Sequence, residues 1–434
     1  MEIIHNHSAG IDIGSRNIYI SPGYSEVKVF GTFTCDFKLA ASYLLEKGVQ
    51  TIAMEATGSY WVILYDILTK DGFDVWLVDG RQTRQVPGRK TDVKDCQWIQ
   101  QLHSYGLLNR CFVVQGDLKN VRGYQRLRED HLRSASMHIN HMQKAMIEMN
   151  IRLPEVLAQV QGASGMAIIQ AILGDERDPH KLLSLCHGSV LKNKSAEILA
   201  ALEGFYTDHG LFALRQAYQA YQFYQKQIGE CDTALNDLLC KINQNKDHFE
   251  PGPCKPIRHH KPQIDELGNH MLDLFAGRDA TVLPGITDYS WLQIYSETET
   301  DLERWPSEKH FTSWLGLSPG QNDSGNSKKR AKKKGRPNAG QIFRLLAQTL
   351  LQSKKISFGA FGRRLRGRKG PMIALKALAR KIAVQYWRLM VKGQEFVDQG
   401  IANYEMIMLK QKEKYVKKLA MELNLEIVDF NNRY

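Results

Sequence analysis

The alternation of apolar and polar positions divides the chain into two parts with different patterns. Up to about residue 110, short apolar runs alternate with stretches of helical periodicity. The stretches AGIDIGSRNIYISP (9–22) and SEVKVFGTF (25–33) predict neighbouring strands, and VQTIAMEATG (49–58) and FDVWLVD (73–79) predict two more. Helices are predicted over residues 37–48, 60–72 and 92–108, the last with Thr91 as its N-cap. Strands that alternate with helices predict an α/β domain with some parallel pairing.

Two later segments repeat apolar residues at alternating steps of three and four. The positions are Leu132, Ala135, Ile139, Met142, Met146, Met149 and Leu153 in the first segment, and Leu214, Ala217, Tyr221, Tyr224, Ile228, Cys231, Leu235, Leu238 and Ile242 in the second. Sustained heptads predict two long helices packed as a coiled coil, within one chain or between chains. The repeat thus predicts architecture and dimerisation rather than chemistry.

Five segments follow from these changes of pattern, since 434 residues exceed the usual size of one hydrophobic core. They are an α/β domain (1–115), a coiled-coil connector (116–245), a proline-containing linker (246–275), a mainly helical domain (276–394) and a helical tail (395–434). Within the fourth segment, the run from Leu283 to Ile286 resembles the turn of a helix-hairpin-helix. Backbone amides in such a turn, around Gly285, can hold a phosphate.

The charge of the chain is concentrated in one segment. Residues 324–394 contain 20 Lys or Arg and no Asp or Glu, and subtracting these 20 from the net charge of +12 leaves −8 for the rest. Such a segment predicts binding to a polyanion, because neutralising phosphates releases counterions. A solvated, disordered tail is the alternative, but aromatic and aliphatic residues such as Phe343 and Trp387 interrupt the charges. Nucleic acid is therefore the expected partner.

Membrane insertion and export are not expected. No stretch is long and apolar enough to span a bilayer, and the first residues lack a signal peptide's pattern. Seven unpatterned cysteines indicate reduced thiols in a cytoplasm. Cys254 with His259, His260 and His270 matches no common zinc spacing.

Four acids stand where carboxylates could converge. Asp12 lies between Ile11 and Ile13 in a predicted strand, an arrangement that is costly without compensation. Glu55 ends the run TIAME, and Asp92 and Asp95 lie three residues apart on one helical face. Clustered carboxylates repel unless cations neutralise them, and Mg²⁺ prefers such oxygen ligands. Each acid taken alone also fits a turn cap or a helix start, but their order is that of ribonuclease-H-like nucleases.

The stretch DIGSRN has a rival interpretation. It resembles the phosphate-binding hairpin of actin-like sugar kinases and chaperone ATPases. Those proteins need a second glycine-rich phosphate loop, and the sequence contains no downstream DxGG run. The kinase interpretation is therefore not favoured.

Several motifs in order resemble one family. The motifs GIDIGSRN, AMEATGSYW and GRKTDVKDCQWIQQLHSYGLL, followed far downstream by LPGIT, FTSWLGLSPGQNDSG and KKKGRPNAGQIFRLL, are similar to those of the DEDD transposases. These are insertion-sequence recombinases guided by a bridge RNA and related to a group of DNA invertases. The resemblance covers roughly residues 8–110 and 280–392.

The resemblance implies specific site residues. In the family, a RuvC-like domain binds Mg²⁺ through four acids, which match Asp12, Glu55, Asp92 and Asp95. A C-terminal domain carries a serine nucleophile, which matches Ser324 in GQNDSGN. Family members often have two serines before the glycine, whereas the first position here is Asp323. Ser318 and Ser327 therefore remain alternative nucleophiles.

The expected function is a DNA recombinase that forms phosphoserine intermediates, with Mg²⁺ and a guide RNA. The partners are donor and target DNA, the RNA and further copies of the chain, as a dimer or tetramer with composite active sites between subunits. The alternative is a RuvC-like resolvase, nuclease or invertase that uses the acids without guide RNA. We expect the protein to be located in a bacterial or archaeal cytoplasm, at the nucleoid. The residues expected to contact nucleic acid are Gly285, Lys328, Lys329, Arg330, Lys332, Lys333, Lys334, Arg336, Arg344, Arg363, Arg364 and Arg366.

Overall fold

A computed structural model describes residues 2–23, 26–83, 91–250, 252, 257, 260–319, 321–324, 327–330, 337–353 and 357–425. The chain divides into two compact units, residues 1–114 and 115–434. The first unit is mixed α/β and the second is mostly helical, as the sequence predicts. The five predicted segment boundaries stay a prediction.

The N-terminal unit contains five strands and three helices among its described residues. They are β1 (Ser8–Ile13), β2 (Asn17–Ser21), β3 (Lys28–Gly31), α1 (Thr34–Glu46), β4 (Thr51–Glu55), α2 (Trp61–Lys70), β5 (Asp74–Val78) and α3 (Asp92–Ser104). The strands form one sheet in the order β3-β2-β1-β4-β5. The β1–β4 and β4–β5 pairs are parallel, and the β1–β2 and β2–β3 pairs are antiparallel.

The two faces of this sheet are covered by different helices. One face contributes alternate residues such as Ile11, Ile52 and Val75 to the main core with α1 and α2. The other face forms a smaller apolar cluster with α3, which includes Ala53 and Ile99. This arrangement follows from strands whose side chains alternate between faces.

One predicted strand proves to be two. Residues 9–22 form the antiparallel pair β1 and β2, in which Ile13 lies opposite Ile18. The chain reverses within GSR, and the amide of Gly14 donates to the carbonyl of Asn17 (2.9 Å). Glycine and serine favour such a turn, which outweighs the continuity of the apolar run.

The second unit contains two long helices, shorter helices and a β-hairpin among its described residues. The first half has α4 (Asp117–Glu148), α5 (Leu153–Val156), α6 (Ala163–Leu173), α7 (Pro179–Ser184), α8 (Gly188–Leu202) and α9 (Asp208–Asn243). The second half has α10 (Leu267–Leu274), a 3₁₀ turn (Ala280–Val282), α11 (Asp288–Thr298), α12 (Glu308–Trp314), β6 (Gln321–Ser324), β7 (Ser327–Arg330), α13 (Asn338–Gln352), α14 (Ser357–Lys369), α15 (Pro371–Lys392) and α16 (Gln394–Glu422).

Helices α4 and α9 are the two long helices that the heptad pattern predicts, and they pack against each other. Met142, Met146, Leu214 and Leu235 are buried as predicted, as the apolar steps require. Near the C-terminal end of α9 the buried position is Leu239 rather than Leu238, because a straight helix drifts from a strict heptad. The apolar seam is also interrupted by a buried ion pair, which the pattern did not indicate.

Two features differ from the predicted connections, and one agrees. Helix α10 lies within the predicted linker and buries Met271 and Leu272. The 3₁₀ turn, not an α-helix, directly precedes the turn at Gly285. The predicted C-terminal helix is present as α16. Among the described residues, no helix is both long enough and apolar enough to cross a membrane.

Candidate active site

Asp12 projects away from the core that surrounds its neighbours. Ile11 and Ile13 are buried in the core with α1 and α2. Because successive side chains of a strand alternate between faces, Asp12 lies on the face that α3 covers, where it is half-buried. The carboxylate therefore avoids the apolar core, which removes part of the cost that the sequence suggests.

Glu55 ends the neighbouring parallel strand on the same face. Ile11 of β1 pairs with Met54 of β4, so Asp12 and Glu55 each come one residue after that pair. Ala53, two residues before Glu55, belongs to the cluster against α3. Alternation within β4 therefore places Glu55 on the α3 side.

Helix α3 approaches β1 closely because Gly10 has no side chain. A Cβ on Gly10 would lie 2.3 Å from both the Cys96 carbonyl oxygen and the Gln100 nitrogen. On the same face, the side-chain amide of Gln100 donates to the Ser8 hydroxyl (3.3 Å). The absence of a side chain thus lets the helix backbone contact the strand two residues from Asp12.

The first turn of α3 carries Asp92 and Asp95. The Thr91 hydroxyl accepts a hydrogen bond from the Lys94 amide (3.4 Å), which confirms the predicted N-cap. Acidic side chains are favoured in this turn, because the helix dipole places partial positive charge there. The same turn lies against the end of β1 that bears Asp12, since α3 packs on that strand.

Three carboxylates converge at this point. Asp12, Asp92 and Asp95 each have a carboxylate oxygen within 4.8 Å of the others, and they are the metal-suited group found among the described residues. Burial first, and then the charges of Asp95, Asp92 and Glu55, raise the pKa of Asp12 to about 6. Clustered oxygen donors whose mutual repulsion disfavours ionisation suit a divalent cation. We call these three residues the acidic trio.

Glu55 lies beside the acidic trio rather than within it. Its charge acts on Asp12, but the set of oxygens within 4.8 Å of one another does not include it. Its Oε2 accepts a hydrogen bond from the Thr83 hydroxyl (2.6 Å). The structure therefore brings three of the four predicted acids together and holds the fourth next to them.

Ser324 is the last residue of β6, at the tip of a β-hairpin. Strands β6 and β7 pair in antiparallel register, with Ser324 opposite Ser327 and Asp323 opposite Lys328. Ser318 lies outside the hairpin, in the segment after α12, where it is half-buried. Two of the three candidate serines are thus paired across the strands β6 and β7.

Comparisons with known families now distinguish between the interpretations. A model of IS110-type DEDD transposases, described as Transposase, matches residues 9–151, which include all four acids. A second model, described as Transposase IS116/IS110/IS902 family, matches residues 280–361, which include Ser324. The chain belongs to the IS110 family of DEDD transposases. No curated protein was found to match it.

The basic residues expected to contact nucleic acid lie in several parts of the transposase. Lys328, Lys329 and Arg330 form most of β7, beside Ser324 in the hairpin. Arg364 and Arg366 are exposed on α14. Four further basic residues expected at the interface, Lys332, Lys333, Lys334 and Arg336, lie outside the described residues.

Two predicted nucleic-acid contacts of the transposase also bind its own backbone. The Arg344 guanidinium donates to the Gly316 carbonyl (3.2 Å). The Arg363 guanidinium donates to the carbonyls of Ser353 and Leu351, near the end of α13. Both side chains are half-buried, so part of their donor capacity serves the fold.

The turn at Gly285 requires glycine. Its φ of 89° lies in the left-handed region, and a Cβ would come 3.1 Å from Leu350. At the following helix, α11, the Ser290 amide donates to the Thr287 hydroxyl and the Tyr289 amide donates to the Asp288 carboxylate. These two amides are already satisfied, so a phosphate contact at Gly285 would use other donors.

The histidine and cysteine set is not gathered in the described part of the transposase. Cys254 and His259 lie outside the described residues. The His270 ring contacts the side chains of Asn243 and Cys240, and His260 contributes its backbone carbonyl to Arg128. The contacts of the His270 ring are typical of a histidine with a structural role.

Sequence reasoning missed Gly10, Gly80 and Thr83 as contributors to the site. A glycine inside a strand pattern was an available signal for close backbone approach at Gly10. Thr83 and Gly80 contact Glu55 from a turn 25 or more positions later in the chain, and no local pattern indicates that contact.

Proposed function

We propose that this DNA transposase cuts and rejoins DNA through a covalent phosphoserine at Ser324, with Mg²⁺ held by Asp12, Glu55, Asp92 and Asp95. The convergence of the acidic trio within 4.8 Å is the observation that carries the proposal. The sheet order and the position of these acids support a RuvC-like N-terminal domain.

The acids provide the cation site. The acidic trio offers at least three carboxylate oxygens, and Glu55 adds a fourth acid beside it. A bound divalent cation would neutralise negative charge that develops on the phosphate during strand cleavage. Burial first, and then the neighbouring carboxylates, raise the pKa of Asp12, so a bound cation would favour its ionised form.

Ser324 provides the covalent step. Its Oγ forms a bond to the scissile phosphorus, the bond from that phosphorus to the leaving strand oxygen breaks, and the hydroxyl proton passes to solvent or to the leaving oxygen. Rejoining reverses these changes with the oxygen of a second strand. The phosphoserine ester retains the energy of the broken bond, so no nucleotide cofactor is required. Strand β7, which pairs with the strand that carries this serine, contains three basic residues, and their positive charge would favour the negative charge that develops on the phosphate.

Nucleic-acid recognition is assigned to the basic segment and to a non-coding guide RNA. The exposed arginines of α14 and the basic strand β7 can bind phosphates without reading sequence. Base pairing with a guide RNA would then supply sequence specificity. The packing of α4 against α9 within one chain supports a coiled-coil connector. Assembly as a homodimer or tetramer is part of the proposal.

A denaturing gel tests the covalent step. The full chain is incubated with DNA that carries the element's own ends, in Mg²⁺, and protein–DNA adducts are detected after denaturation. We expect an adduct with the native protein and with Ser318→Ala and Ser327→Ala, and none with Ser324→Ala. Cleavage by Ser324→Ala without any adduct would instead indicate a nuclease, resolvase or invertase that acts through the acids alone.

Sequencing of copurified RNA tests the guide. The gene is expressed with its native flanking DNA, and the RNA bound to the purified protein is sequenced. A discrete structured RNA encoded beside the gene, complementary to the DNA targets, is the expected result. Random fragments would contradict an RNA-guided mechanism and leave the basic segment as a DNA-binding surface.

A further inference from the structure

The carboxylate of Glu55 rests on a turn that follows β5. The Thr83 hydroxyl lies 2.6 Å from Oε2, and a Cβ on Gly80 would lie 2.3 Å from Oε1. Thr83 is only 7% exposed. Both oxygens of Glu55 therefore lie against the same turn. Oε2 accepts a hydrogen bond from Thr83, and Oε1 occupies the space where a side chain at position 80 would lie. We call residues 79–83 the Glu55 seat.

The Thr83 hydroxyl has one proton and two acceptors nearby. The Gly80 carbonyl oxygen is 3.2 Å away, farther than the Glu55 oxygen. A hydroxyl donates more strongly to an ionised carboxylate than to a neutral carbonyl. The proton is therefore directed to Glu55, and the hydrogen bond fixes the orientation of that carboxylate.

The Glu55 seat is held in place by contacts that do not involve Glu55. The Asp79 carboxylate accepts from the Arg81 amide (3.0 Å), and the Asp79 carbonyl accepts from the Gln82 amide (2.8 Å). The Gln82 side chain accepts from the Asn109 amide (2.7 Å) and donates to the Asn109 carbonyl (3.1 Å). These hydrogen bonds support the Glu55 seat independently of Glu55, and the seat can therefore orient the Glu55 carboxylate.

We infer that Thr83 is a positioning residue, which sets the cation affinity of the acidic cluster by holding Glu55 beside the acidic trio. The inference rests on the metal site of the proposed function. A ligand that is already oriented loses less rotational freedom when a cation binds. Outer hydrogen bonds to ligating carboxylates commonly change metal affinity 10- to 100-fold.

Metal binding by the full chain tests this inference, with free Mn²⁺ measured by electron paramagnetic resonance. Thr83→Val keeps the branched shape and removes the hydroxyl, so we expect the Kd for Mn²⁺ to rise about 10- to 100-fold. Thr83→Ser restores the hydroxyl and should bind within about threefold of the native protein. A structural role alone would not be rescued in this way.

Two further variants keep the test decisive. Thr69→Val is the matched control, because the Thr69 hydroxyl is buried without a hydrogen-bond partner among the described residues; its Kd should be unchanged. In Gly80→Ala the added methyl group would clash with the other Glu55 oxygen, so this variant should also bind Mn²⁺ more weakly. It provides the test if Thr83→Val does not fold.

The outcomes separate the inference from the proposed function. Native affinity in Thr83→Val, together with weakened binding in Glu55→Gln and Asp12→Asn, would overturn the role of Thr83 and leave the metal site intact. Native affinity in Asp12→Asn and Asp95→Asn as well would overturn both the metal site and the inference.

Discussion

The backbone of Gln100 lies so close to Gly10 that a Cβ on the glycine would come within 2.3 Å of the Gln100 nitrogen. This contact sets the distance between α3 and β1, and therefore between Asp95 and Asp12. The acidic trio depends on a residue that has no functional group. A larger side chain at position 10 must push the helix away, because backbone atoms cannot move aside as a flexible side chain can.

Gly10→Ala should therefore separate the acids of the trio and destabilise the N-terminal unit. We expect a loss of roughly 1–3 kcal/mol or more in the free energy of unfolding, from overpacking against backbone, and weaker Mn²⁺ binding. Gly123→Ala is the control, since Gly123 is exposed on α4 with no atom within 4 Å of an added Cβ. It should stabilise the chain by about 0.5–1 kcal/mol. Urea unfolding of both variants checks these values; equal effects would refute the close-contact argument.

Sequence patterns predicted the N-terminal fold because each element there obeys a local rule. Short apolar runs became β4 and β5, and Thr91 caps α3 as its hydroxyl and position suggest. The four acids could be singled out because charges in apolar runs or on one helical face are conspicuous. The Glu55–Thr83 hydrogen bond joins residues 28 positions apart, and only the folded chain brings them together.

The helical connector shows a different limit of pattern reasoning. Heptads predicted α4 and α9, because apolar residues on one helical face must be covered. The same pattern could not indicate that Arg128 and Asp232 are buried in that interface at 1% and 2% side-chain exposure. Charged residues count as solvent-exposed in such a pattern, and only a partner 104 positions away makes burial tolerable.

The Arg128–Asp232 pair connects several elements of the second unit. Arg128 donates to the Asp232 carboxylate, to the Tyr289 hydroxyl (2.7 Å) and to the His260 carbonyl (3.2 Å). Asp232 also accepts from the Gln263 amide (3.0 Å). Helices α4, α9 and α11 and the segment around residue 260 therefore meet at one ion pair.

Breaking this pair should cost far more than replacing it. Arg128→Met leaves a buried, unpaired Asp232, so we expect the free energy of unfolding to fall by about 3–5 kcal/mol. The double variant Arg128→Met/Asp232→Leu should recover part of that loss. Lys144→Met is the control, because Lys144 and Glu148 form an exposed pair on the same helix, and its effect should stay within about 0.5 kcal/mol. If the effects of Arg128→Met and of Asp232→Leu alone added up to that of the double variant, the coupling would be contradicted.

Arg363 and Arg366 should separate folding from nucleic-acid binding. Arg363→Ala removes donors to the Ser353 and Leu351 carbonyls, so the free energy of unfolding should fall by about 1–3 kcal/mol. Arg366 is exposed on the same helix. Arg366→Ala should leave the free energy of unfolding within about 0.5 kcal/mol of the native value. It should reduce the steepness with which log K falls against log salt by about 0.9, the value for one lost phosphate contact. Fluorescence anisotropy with duplex DNA over a salt series measures this slope; an unchanged slope would exclude Arg366 from the interface.

His103 should make the N-terminal unit sensitive to acid. Its ring is fully buried, its Nε2 lies 2.9 Å from the Thr51 hydroxyl, and it stacks on His5 with ring centroids 4.7 Å apart. Burial first, and then His5, lower the pKa of His103 to about 4, against the opposing charge of Asp74. Between pH 6.5 and 4 the unfolded chain therefore binds a proton that the folded chain does not. The free energy of unfolding should fall as the pH decreases through this window.

His103→Gln cannot titrate and should lose this dependence. The contribution of His103 to the free energy of unfolding should shrink by up to about 3 kcal/mol between pH 6.5 and 4, because each pKa unit corresponds to about 1.4 kcal/mol. Asp12 acts in the opposite direction over an overlapping range, since its pKa is raised to about 6. Both proteins contain Asp12, so the difference between their unfolding free energies isolates His103. Urea titrations in chelator, followed by hydrogen exchange of peptides from β4 and β5, measure that difference. A difference independent of pH would mean that the folded protein accommodates a charged His103.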